Sequence, residues 1–190
     1  INISTMANIL DPLVDRQGGI RKSSTWYRNA VSSIADKISA RKLMNQGKLI
    51  GRPSTGRLNM FFYDPKTKDK LPYYDTFPLV LPLEAIKGGF MGINFHYLAP
   101  LIRFRLLETI QDRFATSREL KRNMRLDVSY DRVKGIPLVR PTIKKYLFSY
   151  VRSNFLRIDA DEAAIACYLP VQQFKKRSAS YVYGQSRGMI

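Results

Sequence analysis

The segment 57–98 constrains the fold most strongly, because aromatic residues, prolines and turn residues are crowded into it. Residues 58–63 form an extended apolar run that ends in an Asp-Pro turn. The run 71–83 contains three prolines, which cannot donate to a sheet ladder, so edges or bends are expected there. A pair of glycines then turns the chain into 90–98, where residues alternate with the period of a strand. The segment therefore predicts a compact antiparallel β unit.

Apolar residues at helical spacing flank this β unit on both sides. The spacing predicts a helix from Ser24 to a stop at Gly47, and another over 100–115. The run 142–158 begins with the same spacing, whereas the apolar run 163–169 is interpreted as a strand. The predicted fold class is α+β: a small antiparallel, SH3-like, partly open β-barrel flanked by basic α-helices.

Composition divides the chain into four segments. Residues 1–23 mix short apolar stretches with Asp-Pro and Gly-Gly, and are predicted to be an extended arm outside the core. Residues 24–56 are a helix and a basic connector, 57–174 the α+β core domain, and 175–190 a basic tail lying on a surface or a partner. At 190 residues the chain is long enough for one domain with a real core.

The net charge limits the kinds of partner. The chain has 32 Lys and Arg against 15 Asp and Glu, a formal charge of +17. This excess predicts a nucleic acid, an anionic membrane surface or an acidic face of another subunit, and an unbound solvated surface is the alternative. A membrane-spanning helix is not expected, because every apolar run is shorter than the roughly 20 residues that span a bilayer. A membrane surface is not the expected partner either, because no predicted helix has a basic face and an apolar face left over from core packing.

The basic residues suited to binding DNA or another anion lie mainly outside the β unit. Such side chains neutralise phosphates without reading base sequence, and nearby tyrosines can stack on bases. The predicted binding residues are Arg103, Arg105, Arg118, Lys121, Arg122, Arg125, Lys144, Lys145, Lys175, Lys176 and Arg177.

Residues suited to catalysis or metal binding are sparse. One His and one Cys exclude a Cys/His zinc site and an internal disulfide. His96 is interpreted as a packed, hydrogen-bonded side chain and Cys167 as a buried inert thiol. Asp159, Asp161 and Glu162 can bind Mg²⁺ as nuclease carboxylates do, or can face a helix N-terminus that Asp159 caps, which is the favoured interpretation. We therefore expect no enzyme activity, cofactor or metal.

Two stretches carry a resemblance to a known family. The first is FFYDPKTKDKLPYYDTFPLVLPL followed by GGFMGINFHYLAP and a basic helix, and the second is DADEAAIACYLPVQQFKKRSASYVYGQSR. Over about residues 38–190 the chain resembles virion structural proteins of T4-like and other contractile-tailed bacteriophages. Members of that set are often described as DNA end protectors.

The resemblance implies a non-enzymatic component of a tailed-phage virion, assembled in the host cytoplasm. The protein would lie in the neck or tail, in a symmetric ring beside other virion proteins, and would contact or protect the end of the packaged double-stranded DNA through basic surfaces. The alternative is a neck, tail or baseplate adaptor that binds acidic faces of neighbouring subunits without touching DNA. The resemblance supplies no catalytic residues.

Overall fold

The computed structural model of the protein describes residues 3–190, which form a mixture of helices and strands. Five short 3₁₀ turns join the other elements at Asn8–Leu10, Ala35–Lys37, Phe95–Tyr97, Pro137–Thr142 and Phe148–Tyr150. The helices are α1 (Asp11–Gln17), α2 (Ser24–Ser32), α3 (Ala40–Gln46), α4 (Pro100–Phe114), α5 (Tyr130–Val133), α6 (Ala163–Tyr168) and α7 (Ala179–Met189). The strands are β1 (Leu49–Ile50), β2 (Leu58–Met60), β3 (Tyr74–Asp75), β4 (Leu79–Ile86), β5 (Gly89–Asn94), β6 (Ile143–Leu147), β7 (Phe155–Ile158) and β8 (Phe174–Lys175).

The strands form one large antiparallel sheet and one small one. The large sheet has the order β1-β7-β2-β4-β5-β6, and its two edge strands are not paired with each other within residues 3–190. β3 and β8 form a separate antiparallel pair. The prediction of an α+β protein with an antiparallel, open sheet is therefore confirmed. The SH3-like barrel and the flanking basic helices stay predictions.

The 57–98 segment supplies only the middle of the large sheet, through β2, β4 and β5. β4 is an interior strand rather than an edge, and its ladder register shifts between Pro82 and Glu84. This irregularity is how the sheet accommodates a proline that cannot donate a ladder hydrogen bond.

The prediction of a helix at the start of 142–158 is wrong. β6 pairs with β5, with Gly92 opposite Lys144, and β7 pairs with β2. The apolar residues there have helical spacing, but the segment forms strands because the edges of β5 and β2 offer hydrogen-bond partners that lie far along the chain. The prediction of a strand over 163–169 is also wrong, since those residues form the buried helix α6.

Both chain ends contribute to the folded core. Within 3–23, α1 forms and Met6 and Leu10 are completely buried, so the prediction of an extended arm outside the core is wrong for the part of it that the structure describes. The predicted tail 175–190 forms the end of β8 and the helix α7, whose Val182 is completely buried. The single helix predicted from Ser24 is divided into α2 and α3, whereas α4 matches its predicted range closely.

Side chains on the two faces of the large sheet enter different hydrophobic clusters. In β4, Leu79 and Leu81 join the main core, whereas Val80 joins a second cluster with Phe61 and Tyr146. Alternation along a strand places these side chains on opposite faces. None of the helices within residues 3–190 is both long and apolar enough to cross a membrane.

Candidate nucleic-acid interface

A groove lined by tyrosines and lysines runs beside the edge strand β6. Its cavity volume is about 640 Å³, within the roughly 300–1,000 Å³ typical of ligand sites. One side is the loop that leads into β3, and the other is β6 with the 3₁₀ turn after β5. We define the tyrosine–lysine groove by Tyr73, Tyr74, Tyr97, Lys66, Lys144 and Lys145.

Lys144 is the most unusual cation of the groove. Its Nζ atom lies 4.1 Å from the centroid of the Tyr97 ring, within the distance of a cation–π contact. Among residues 3–190 it forms no ion pair with a carboxylate. Burial lowers the pKa of the Lys144 ammonium, and no neighbouring charge offsets that effect. The groove thus contains a partly desolvated positive charge that no carboxylate of the described residues neutralises.

Lys176 fixes the outer wall of the groove. Its Nζ atom donates to the carbonyl oxygens of Lys68 at 2.6 Å and Leu71 at 2.7 Å. The backbone of Lys176 has φ +73°, a left-handed conformation that is uncommon for a residue with a side chain. The strand pair β3–β8 sets this arrangement, because Tyr74 pairs with Lys175.

Further tyrosines extend the groove toward α7. The Tyr73 ring lies 6.1 Å from that of Tyr97 and 6.2 Å from that of Tyr181, measured between centroids. The guanidinium of Arg177 lies 4.8 Å from the Tyr181 ring centroid. A row of three tyrosine rings, Tyr97, Tyr73 and Tyr181, therefore runs along one surface with a cation at each end, Lys144 and Arg177.

The structure brings five of the predicted binding residues to this surface and separates the others from it. The five are Lys144, Lys145, Lys175, Lys176 and Arg177, in β6 and in β8 with the residues that follow it. Arg105 is exposed on α4, and Arg118, Lys121 and Arg125 are exposed in the segment after that helix.

Arg103 and Arg122 have protein partners. Arg103 is completely buried, and its guanidinium donates to the carbonyl oxygens of Leu98 at 2.7 Å and Cys167 at 3.1 Å and to the Tyr183 hydroxyl at 2.7 Å. A buried guanidinium held in this way is not available to a phosphate. Arg103 is therefore not part of the proposed DNA interface.

Arg122 belongs to a buried ionic cluster with Asp159, Asp161 and Glu162. Its nitrogens lie 2.8, 3.0 and 3.1 Å from one oxygen of each of these carboxylates in turn. Arg57 adds a contact of 2.6 Å to Asp159. Arg157, at 3.1 Å from the same carboxylate, completes a set of three guanidiniums for three carboxylates. The nearby positive charges would repel a divalent cation.

Glu162 also anchors the N-terminal segment. Its carboxylate accepts hydrogen bonds from the backbone N–H groups of Thr5 and Met6 and from the hydroxyls of Ser4 and Thr5. Burial raises the pKa of Glu162, and these hydrogen bonds oppose that rise. Asp159 does not cap α6, because the N-cap position of that helix is Glu162. The acidic residues are therefore part of a structural ion cluster rather than the predicted cap.

The interpretation of His96 as a packed side chain agrees with its surroundings. Its Nδ1 lies 2.9 Å from Asp75, and both residues are buried. Asp75 also accepts from the backbone N–H groups of Phe77 and Gln173. Burial lowers the pKa of His96. Burial alone would raise the pKa of Asp75, but the imidazole and these donors outweigh it and lower the pKa.

Cys167 is buried, as predicted for an inert thiol. Burial raises the pKa of its thiol to about 12, so the nucleophilic thiolate is not populated at neutral pH.

A family model described as the phage T4 terminal DNA protecting protein matches residues 13–186. The chain belongs to this family. No match was found among curated proteins or among solved structures. The resemblance to DNA end protectors of T4-like phages is thereby confirmed, and the match begins further toward the N-terminus than the predicted start near residue 38. The family is named for protection of DNA and not for a catalysed reaction.

Sequence reasoning missed the tyrosines that give this member of the terminal DNA protecting family its groove. The sequence pattern places Tyr73 and Tyr74 in the β unit and does not single them out for binding, although they lie in the sequence KLPYYD, directly after a lysine-rich loop. The three lysines that closely precede this pair of tyrosines were the available signal. Nothing local could place Lys144 beside Tyr97, because β5–β6 pairing joins them.

Proposed function

We propose that this protein binds the ends of the phage genome and protects them without catalysing a reaction. The observation that carries the proposal is a row of tyrosines flanked by cations, along and beside the tyrosine–lysine groove, in a chain of the terminal DNA protecting family. Phosphate neutralisation by lysine and arginine supplies affinity without base sequence, as a protector of any genome end requires.

Exposed cations beside the groove would make the phosphate contacts. Lys145, Lys175 and Arg177 are exposed, and none of them forms an ion pair with a carboxylate of residues 3–190. The net charge of +17 favours approach to DNA over long range. Arg105, Arg118, Lys121 and Arg125 would contribute to that general attraction.

The location that we propose is the neck or tail of the virion, in a symmetric ring beside other virion proteins. A protein at this position would meet the end of the packaged DNA. An adaptor that enters particles through acidic faces of its neighbours without binding DNA is the competing function. Recovery of the protein in purified particles together with a failure to bind DNA would support that adaptor.

The test compares binding to a linear blunt duplex with binding to a duplex closed by hairpins at both ends. We expect the protein to bind the linear duplex more tightly than the closed one and to slow its digestion by an exonuclease. The affinity should fall steeply as the salt concentration rises. Each phosphate contact adds about 0.9 to the slope of log affinity against log salt. The triple variant Lys145→Ala, Lys175→Ala and Arg177→Ala should therefore lower that slope by about 2–3.

A matched control removes the same charge elsewhere, with Lys37→Ala, Arg41→Ala and Lys42→Ala. These side chains are exposed around α3 and do not line the groove. Equal effects of the two triple variants would contradict the proposed interface. No binding to linear DNA at low salt would contradict DNA end protection itself.

A further inference from the structure

We propose that the tyrosine–lysine groove holds the unpaired terminal nucleotide of a DNA strand, with the base against tyrosine rings and the phosphate at Lys144. The inference rests on the proposed function and specifies its ligand. A base inside a duplex is stacked on both faces, so only an unpaired or frayed end can offer a base face to a side chain.

The charge of Lys144 is the first argument. Ion pairs neutralise comparable cations elsewhere in the protein, such as Lys68 with Asp64 and Arg57 with Asp159. Lys144 has only the Tyr97 ring among residues 3–190, and its ammonium is partly removed from water. Desolvation of an unpaired charge is unfavourable, so an incoming anion would relieve it.

Asp75 does not supply the missing negative charge. Asp75 is among the residues that line the groove, but its side chain is buried and its carboxylate is held by hydrogen bonds with His96 and with two backbone N–H groups. Burial lowers the pKa of the Arg103 guanidinium, and the negative charge of nearby Asp75 is one of the effects that oppose this shift. A second anion is therefore needed for Lys144, and a DNA phosphate has the required charge.

The tyrosines are the second argument. Tyr73 and Tyr74 are half-buried and Tyr181 is 42% exposed, so each presents part of a ring to solvent. Stacking on aromatic side chains contributes about 1–3 kcal/mol per base and tolerates any sequence, because every base has a π-face. Tolerance of sequence is what a binder of genome ends needs.

The groove is also preformed. The Lys176 contacts to the carbonyl oxygens of Lys68 and Leu71 hold its outer wall in place before any ligand enters. A preformed wall avoids the ordering cost that a flexible loop would incur on binding. Lys66 and Lys145 line the groove and are exposed, so they are available as further phosphate partners.

The experiment measures fluorescence anisotropy of short duplexes that differ only at their ends. One duplex is blunt, a second has a single unpaired nucleotide on each strand, and a third is closed by hairpins. We expect the unpaired nucleotide to increase affinity about 10-fold over the blunt end, from the stacking of one base. A photoreactive thymine analogue at the unpaired position should cross-link to Tyr73, Tyr74 or Tyr181.

Three variants assign the effect to the groove. Tyr73→Ala and Lys144→Met should each abolish the roughly 10-fold preference, measured as the ratio of the affinities for the unpaired and the blunt end, and Tyr73→Phe should retain it. Lys37→Met is the matched control, because it removes one charge from a surface outside the groove. Thermal unfolding of each variant verifies that it is folded.

The outcomes separate this inference from the proposed function. Equal affinity for blunt and unpaired ends, or cross-links to residues other than Tyr73, Tyr74 and Tyr181, would overturn the inference while leaving end binding intact. Loss of binding to every duplex in Lys144→Met alone would overturn the role of Lys144 as a contact specific to the unpaired nucleotide. No binding to any linear duplex by the wild-type protein would overturn the proposed function.

Discussion

Glu162→Gln tests whether the buried ionic cluster is structural. The carboxylate of Glu162 accepts four hydrogen bonds from the N-terminal segment, at distances of 2.7–3.1 Å, and a fifth from Arg122 at 3.1 Å. Glutamine has the same shape but only one carbonyl oxygen. Its amide nitrogen must then face two of these donors, the Ser4 hydroxyl and the Met6 N–H.

The magnitude follows from these contacts. A buried N–H that loses its acceptor costs about 1–3 kcal/mol, although the Ser4 hydroxyl, 3.1 Å from the Met6 N–H, offers partial replacement. Removing one partner of a buried ion pair costs about 3–5 kcal/mol. Arg122 retains Asp159 and Asp161, which favours the lower end. We therefore expect Glu162→Gln to lower the free energy of unfolding by about 3 kcal/mol.

The assay is thermal and urea unfolding with limited proteolysis. For a domain of this size about 1 kcal/mol shifts Tm by roughly 2–4 °C, so Glu162→Gln should lower Tm by about 6–12 °C. Cleavage near the N-terminus should accelerate as the segment around Thr5 detaches. Glu119→Gln is the control, because it changes the same group on an exposed side chain and should have little effect.

Two results would refute this reasoning. A Tm of Glu162→Gln equal to that of Glu119→Gln would show that the buried contacts do not stabilise the fold. A rise in wild-type Tm with Mg²⁺ that Glu162→Gln abolishes would instead indicate that the three carboxylates, whose oxygens lie within 4.8 Å of one another, bind a metal.

Two further predictions concern pH dependence and packing. Burial raises the pKa of Asp161, so the folded protein keeps a proton that the unfolded chain releases, and stability falls as pH rises above the ordinary aspartate range. Asp161→Asn should remove this slope from urea unfolding measured across pH. Its cost at neutral pH should be about 1 kcal/mol, less than that of Glu162→Gln, because Asp161 accepts no hydrogen bond from the described residues and Arg122 keeps Asp159 and Glu162. An unchanged slope would assign it to another group. A Cβ at Gly89 would lie 1.9 Å from the Tyr146 carbonyl oxygen, so Gly89→Ala should separate β5 from β6 and cost at least about 1–3 kcal/mol. Gly184→Ala, with open space among the described residues and a helical backbone, should instead stabilise by about 0.5–1 kcal/mol, and similar Tm values for the two variants would refute the packing argument.

Elements whose patterns are local were predictable. α4 begins at a proline, carries buried residues at helical spacing and ends within a residue of its predicted limit. The turn before β5 was readable from its glycines, and Gly88 has φ +74°. Such features depend on backbone conformations that neighbouring residues determine, so the sequence contains the whole signal.

Elements that depend on a distant partner were not predictable from periodicity. Residues 143–147 match helical spacing but form β6, because β5 offers an unpaired edge. The apolar run after Glu162 satisfies both strand and helix composition, and its packing against α2 and α4 selects the helix. For short apolar runs, tertiary contacts outweigh local preference.

The sequence by itself determined the family, the excess of positive charge and most of the cations proposed to contact DNA, because residue types and long motifs carry that information directly. Only the tertiary structure decided which cations are free. It buried Arg103, paired Arg122 with three carboxylates and left Lys144 beside Tyr97 without a carboxylate partner among residues 3–190. The availability of a charge depends on burial and on partners far apart along the chain, and these are set by the packing of strands and helices.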